Sequence, residues 1–160
     1  SEPKLILAVV DPTLRPTPLP AGGDVARSLR ARLELFICEY DPQLVDSASG
    51  EALRKARAVL IDDRARRLRE IAKTLTAGDL PVEVDARWDS PLADGIVRKA
   101  MESAADIVFK DTHYHALLKR SIFSNTDWNL IRDCPAPLWL VKPHAIAAKP
   151  RFLAAVDPLH

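Results

Sequence analysis

Most of the side chains able to do chemistry fall between Asp106 and Pro143, where the chain reads DIVFKDTHYHALLKRSIFSNTDWNLIRDCPAPLWLVKP. Asp111, His113 and His115 offer a carboxylate and two imidazoles. A histidine pair two positions apart on extended chain projects to one side, and such donors suit zinc. No spaced cysteines join them, and a loop that hydrogen-bonds its own backbone explains the same residues, so no metal is assigned. Lys110, Lys119 and Arg120 flank this loop and could hold an anionic head group by charge-assisted hydrogen bonds. Ser121 and Ser124 lie near the histidines without the GxSxG elbow of a hydrolase. The carboxylates elsewhere have basic helical neighbours and show no paired arrangement. No catalytic constellation emerges, and the chain reads as a non-enzyme.

The elements around this stretch explain why it matters. Ile107 to Phe109 reads as a short buried strand, then come the polar loop, a helix, and a second buried strand at Leu138 to Val141, with Pro135 and Pro137 closing the helix. A strand, loop and helix start in that order place the loop at the carboxyl end of a parallel sheet, where open α/β folds bind ligands. Upstream, KLILAVVD (Lys4 to Asp11) is a continuous apolar run, the pattern of a central strand buried on both faces. Its last residue, Asp11, falls on the same rim. The prolines at 12, 16, 18 and 20 forbid a helix there and leave about Asp24 to Arg30 for a first helix, with Asp24 as its N-cap. Arg32 to Tyr40 alternates as a second strand. Asp41 to Ser49 reads as a polar loop.

A long amphipathic helix follows, about seven turns, with Leu53, Ala56, Leu60, Ala65, Leu68, Ile71 and Leu75 on its apolar side. Its arginines 64, 66, 67 and 69 are interleaved with Asp62, Asp63 and Glu70, so they make a self-paired, solvated face rather than a nucleic-acid surface. Ala77-Gly78-Asp79 ends it. Val82 to Trp88 is a third strand, and Ser90-Pro91 opens a helix as N-cap and first residue, with Leu92, Ile96, Val97, Ala100 and Met101 as its buried stripe. Trp128 and Trp139 are read as core or interface packing. The alternation predicts an α/β fold, a doubly wound five-stranded parallel sheet with helices on both faces.

Composition narrows the classes. The 160 residues carry a formal net charge of +1 with 48% hydrophobic residues, which argues against disorder and against a dedicated nucleic-acid binder. Cys38 and Cys134 lack ligand spacing and read as small apolar residues in a reducing compartment. No apolar run approaches the roughly 20 residues of a bilayer span, and the first residues do not look like a signal peptide, so a cytoplasmic location is expected.

Near its end the chain repeats itself: RFLAAVDP (Arg151 to Pro158) matches LILAVVDP (Leu5 to Pro12), residue 7 against 153 and 11 against 157, a constant offset of 146. This predicts a domain over 1–143, a linker over 144–150, and the first strand of a second copy over 151–160.

Taken together, ILAVVDP, DIVFKDTHYH, LLKRSIF, NTDWNLIRDCPAPLWLVKP and the repeated AAVDP resemble the universal stress protein family, and within it the tandem E-type members. The resemblance implies the adenine nucleotide alpha hydrolase-like fold, a stress-responsive role, and two halves packed as a pseudo-twofold pair or a homodimer through the Leu138 to Val141 edge. It departs from the pattern over Pro12 to Gly23, where family members usually have a regular first helix.

ATP-binding members of that family carry Gly, two residues, Gly, nine residues, then Gly with Ser or Thr. Glycines there let backbone amides approach phosphates without an intervening side chain. In register, Asp111, Tyr114 and Ser124 stand at the glycine positions, with Asn125 in the Ser/Thr slot. The resemblance therefore argues against ATP as a cofactor of this half. It leaves Asp11, Asp111, His113, His115, Lys119, Arg120, Ser124, Asn125 and Thr126 as the ligand-binding candidates. The expected function is a non-enzymatic structural or alternative-ligand module; the other reading is an ATP-binding protein with slow ATPase activity.

Overall fold

A computed structural model describes residues 4–12, 20–76, 80–115, 120–122 and 124–141, with 20–22, 113–115 and 120–122 described by their backbone. Five parallel strands form one sheet in the order β3-β2-β1-β4-β7: β1 (Leu5–Val9), β2 (Arg32–Glu39), β3 (Val82–Trp88), β4 (Ile107–Asp111) and β7 (Leu138–Val141). β1 is central, pairing Val9 with Phe36 of β2 on one side and with Lys110 of β4 on the other. All five of its residues are buried, as a continuous apolar run requires when helices cover both faces.

One face carries Ile6, Ala8, Leu33, Leu35, Ile37 and Phe109 under α1 (Pro20–Ser28) and α3 (Gly50–Leu75). The other carries Leu7, Val9, Phe36, Cys38 and Val108 under α4 (Leu92–Glu102) and α5 (Asn125–Asp133). Strand order reverses between β1 and β4, whose carboxyl ends form the topological switch point.

Several expectations are corrected. The first helix begins at Pro20, not Asp24. Proline is tolerated at a helix start because its missing N–H would have had no intrahelical partner. Asp24 therefore lies inside the helix and pairs with Arg27 at 3.2 Å instead of capping it. Gly23 is also helical, and a Cβ there would meet Leu75 Cδ2 of α3 at 3.2 Å, so a small residue lets the two helices approach. The segment read as a polar loop holds a helix, α2 (Pro42–Ser47), because the Asp41 carboxylate accepts hydrogen bonds from the N–H groups of Gln43 and Leu44 at 2.9 and 3.2 Å. In α4 the N-cap is Pro91, one residue later than expected, and Met101 is 66% exposed rather than part of the buried stripe.

α3 spans 26 residues, roughly 39 Å, whereas an eight-residue strand spans roughly 26 Å. The helix is longer than the sheet is deep. Only Leu68, Ile71, Ala72 and Leu75 of it are buried, so its first half overhangs the carboxyl edge of the sheet, and Leu53, Ala56 and Leu60 are half-buried or nearly so. Asp63 pairs with Arg64 and Arg66, while Arg67 donates to the Pro12 carbonyl at 2.8 Å.

The polar loop after β4 contains two further short strands, β5 (His113–His115) and β6 (Arg120–Ile122), paired antiparallel. Lys119, most of the proline-rich 12–20 segment, the Ala77-Gly78-Asp79 helix end, the linker and the repeated strand lie outside the described residues. Cys38 and Cys134 are free thiols, the first buried and the second half-buried. No helix among the described residues is long and apolar enough to cross a membrane.

Candidate functional site

The candidate residues divide into three groups along the carboxyl edge. Asp11 and Asp111 come together at the switch point, at the ends of the neighbouring strands β1 and β4. Burial pushes the Asp111 carboxyl up, the negative charge of Asp11 adds to this, and Lys110 opposes it. Both aspartates fall on the rim where the sequence put them, 100 residues apart along the chain, and the charge of Asp11 acts on Asp111. His113, His115 and Arg120 lie on the β5–β6 ribbon, with His115 opposite Arg120 in register. Ser124, Asn125 and Thr126 form the start of α5.

Two of the donors of that helix start, the Ser124 and Asp127 N–H groups, are already committed. Ser124 is the N-cap, its hydroxyl accepting from the Asp127 N–H at 3.1 Å, and the Asp127 carboxylate accepts in return from the Ser124 N–H at 2.7 Å. This reciprocal capping box satisfies donors that a helix otherwise offers to an anion. The other Asp127 oxygen lies 2.6 Å from Lys110 Nζ, in an ion pair whose side chains are 10% and 0% exposed. Burial works to raise the Asp127 pKa, but the bonds from Lys110 and Ser124 outweigh it and hold the carboxyl below its ordinary value. Lys110 also donates to the Asp111 carbonyl at 3.2 Å. Lys110 is thus an internal partner, contrary to the sequence reading that set it beside Lys119 and Arg120 as an anion contact. Thr112, 2% exposed, anchors this end of β4 to β7 through Thr112 N–H to the Val141 carbonyl at 2.8 Å.

Other cations of the rim are occupied as well. Arg64 of α3 binds Glu39 at 2.7 Å, Arg98 binds Asp89, and the Arg57 guanidinium stands 4.7 Å over the Trp88 ring, which also meets Tyr40 at 5.4 Å. Trp139 packs on Phe109 at 5.3 Å between ring centres, as expected of core packing. Trp128 is 57% exposed on α5, so of its reading as core or interface packing the core half does not hold. The edge as a whole presents Asp11, Asp111 and a helix start whose capping box is internal.

Deeper in the sheet the structure reveals a cluster for which the sequence held no signal. Lys99 of α4, 7% exposed, bonds Glu34 of β2 at 2.5 Å and Asp85 of β3 at 2.9 Å, over the Phe36 ring. Burial favours the neutral lysine, but the two carboxylates outweigh it and raise its pKa, while Asp85 is lowered. Buried charges this well paired hold β2, β3 and α4 together and are not free to react.

Comparison with known proteins bears on the whole architecture. A model of the universal stress protein family matches residues 5–142, from the first residue of β1 to just past β7. Universal stress protein E of Salmonella typhi is 28% identical over 155 residues, 95% of this chain and 49% of that protein, so the chain spans about half the length of the curated relatives it matches. Universal stress protein UspA from Lactobacillus plantarum has a similar structure, with a TM-score of 0.65 at 12% identity, covering 88% of this chain and 99% of that one. A universal stress protein in complex with cAMP gives a TM-score of 0.57 at 18% identity, covering 90% of this chain and all of that one. These structural likenesses speak for the fold, and they meet the sequence match on the same five-stranded parallel sheet. The chain belongs to the universal stress protein family.

Proposed function

We propose that this chain is a non-enzymatic, cytoplasmic module of a stress-response protein, a universal stress protein domain that takes no nucleotide and serves a structural or alternative-ligand role. Family membership supports the stress-response role. The observation that carries the rest is the Lys110–Asp127 pair: a buried carboxylate holds the lysine and the α5 start that a phosphate would use. Asp111, Tyr114 and Ser124 in place of glycines, and Asp11 beside Asp111, support the same reading. Any alternative ligand would meet Asp11, Asp111, the β5–β6 ribbon with His113, His115 and Arg120, and Ser124 to Thr126.

The repeat of LILAVVDP as RFLAAVDP supports a tandem protein in which a second domain begins near Arg151. Among the described residues β7 is an edge strand, and its outer side suits pairing with that second domain or with another copy of the chain.

Thermal denaturation with magnesium and ATP tests the proposal. A site filled at 100 times its dissociation constant would stabilise the fold by roughly 2.7 kcal/mol; no shift is expected. Native mass spectrometry of gently purified protein is the companion measurement, and ATP or ADP at one per chain refutes the proposal. A second reading, nucleotide binding with slow ATPase activity through Lys119, Arg120, Asn125 and Thr126, is favoured by the structural likeness to a universal stress protein in complex with cAMP.

A further inference from the structure

At the opposite end of the sheet, where β2 and β3 begin, a cleft of about 280 Å³ opens between the end of α1 and the Leu80-Pro81 approach to β3. Its floor is apolar, made by the buried Ala26, Ala31 and Leu80. Its walls are Arg27, Arg30 and Arg32, and none of the described residues lining it is acidic. Three arginines border one small apolar floor, and the planar fork of a guanidinium matches the paired oxygens of a phosphate or carboxylate.

Arg30 stands at the mouth of the cleft in the left-handed conformation that Ala104 also adopts after α4. It ends α1 with a φ of 51°, closing the turn through Ala31 N–H to the Ala26 carbonyl at 2.9 Å and its own N–H to the Arg27 carbonyl at 3.1 Å. Glycine holds this left-handed position most cheaply, and an arginine there carries a backbone cost. What arginine adds is a cation at the mouth of the cleft. Among the described residues its side chain is exposed and has no hydrogen-bond or ion-pair partner. Arg27 and Arg32 do have carboxylate partners, Asp24 at 3.2 Å and Glu83 at 3.5 Å, but both pairs are solvent-exposed and screened, and a bound oxyanion can displace them. Arg27 is also steered by its bond to the Leu75 carbonyl at 2.6 Å, which holds it in place at the cleft.

We infer that the Arg27, Arg30 and Arg32 cleft binds a small multivalent oxyanion, a phosphate ester or a polycarboxylate, at the end of the sheet remote from the family's ligand edge. The site is independent of the nucleotide question, because no described residue of the Lys110–Asp127 region lines it.

The test is amide NMR of the full chain titrated with pyrophosphate and, separately, with citrate, at constant ionic strength set by sodium chloride. Saturable shifts at Arg30, Ala31, Arg32 and Leu80 are expected, and the probe that saturates at lower concentration identifies the phosphate or the carboxylate class. Arg30→Gly should weaken binding at least tenfold while the thermal midpoint stays or rises, because glycine relieves the left-handed backbone. Arg30→Asn, which also accepts that conformation, should behave alike. Shifts that grow without saturating overturn the inference. So does unchanged affinity in both variants, or saturable binding centred on Ser124 to Asp127.

Discussion

Replacing Asp127 with alanine should be among the most damaging single changes in the domain. The carboxylate is fully buried, neutralises the 8% exposed Lys110 and closes the capping box of α5. Removing one partner of a buried pair costs about 3–5 kcal/mol because the other charge is stranded. Losing the return half of the capping box, the bond from the Ser124 N–H, adds about 1 kcal/mol. The expected loss is therefore about 4–6 kcal/mol, much of the roughly 5–15 kcal/mol that holds a domain folded. The double variant Lys110→Met, Asp127→Leu strands no charge and should lose only about 1–2 kcal/mol, chiefly the Ser124 N–H bond. Urea denaturation followed by circular dichroism measures both.

The pH dependence provides an internal check. The folded Asp127 carboxyl titrates below its ordinary value of 3.8, so its contribution is complete above that pH and fades as the pH falls through the folded value. The two variants should converge on the parent only in that acid range. If Asp127→Ala costs under about 1 kcal/mol at neutral pH, or if the double variant costs the sum of the singles, the pair does not hold the edge together and the argument against a phosphate there loses its basis.

Lys99→Met should destabilise the fold by about 3–5 kcal/mol, since Glu34 and Asp85 lose their shared cation, and adding Glu34→Gln should recover part of this in thermal unfolding. Gly95→Ala places a Cβ 2.6 Å from Cys38 Sγ and 2.7 Å from Asp89 Cβ; overpacking of this kind costs about 1–3 kcal/mol, readable by urea titration, and Cys38→Ala should relieve only part of it. Burial, with Asp89 and Glu39 nearby, pushes the Cys38 thiol up to about 12, so at pH 8 iodoacetamide should leave it unmodified in the native protein and alkylate it in urea, as peptide mass analysis would show. Asp111→Asn should raise the melting temperature at pH 7 but not at pH 3. The raised folded pKa means that ionising Asp111 costs stability above that pKa, and the cost vanishes below 3.8, where folded and unfolded carboxyls are both protonated.

Local pattern was sufficient for the scaffold. Continuous apolar runs at Leu5–Val9 and Ile107–Phe109, alternation in Val82–Trp88 and the long amphipathic helix are properties of neighbouring residues, and each element lies where the sequence placed it. The glycine substitutions at 111, 114 and 124 are equally a matter of sequence, because a side chain stands at each position whatever the surroundings. Element starts were less legible: Pro20 and Asp41 open helices through backbone donors left without intrahelical partners, a signal that competes with the turn-forming habits of proline and aspartate. The charge partnerships belong to tertiary structure. Lys110 meets Asp127, and Lys99 meets Glu34 and Asp85, only because parallel crossovers bring together strands and helices that are distant along the chain. A carboxylate read alone is equally a surface group or a buried counter-ion, and the energy that separates the two, desolvation against pairing, exists only once the neighbours are in place.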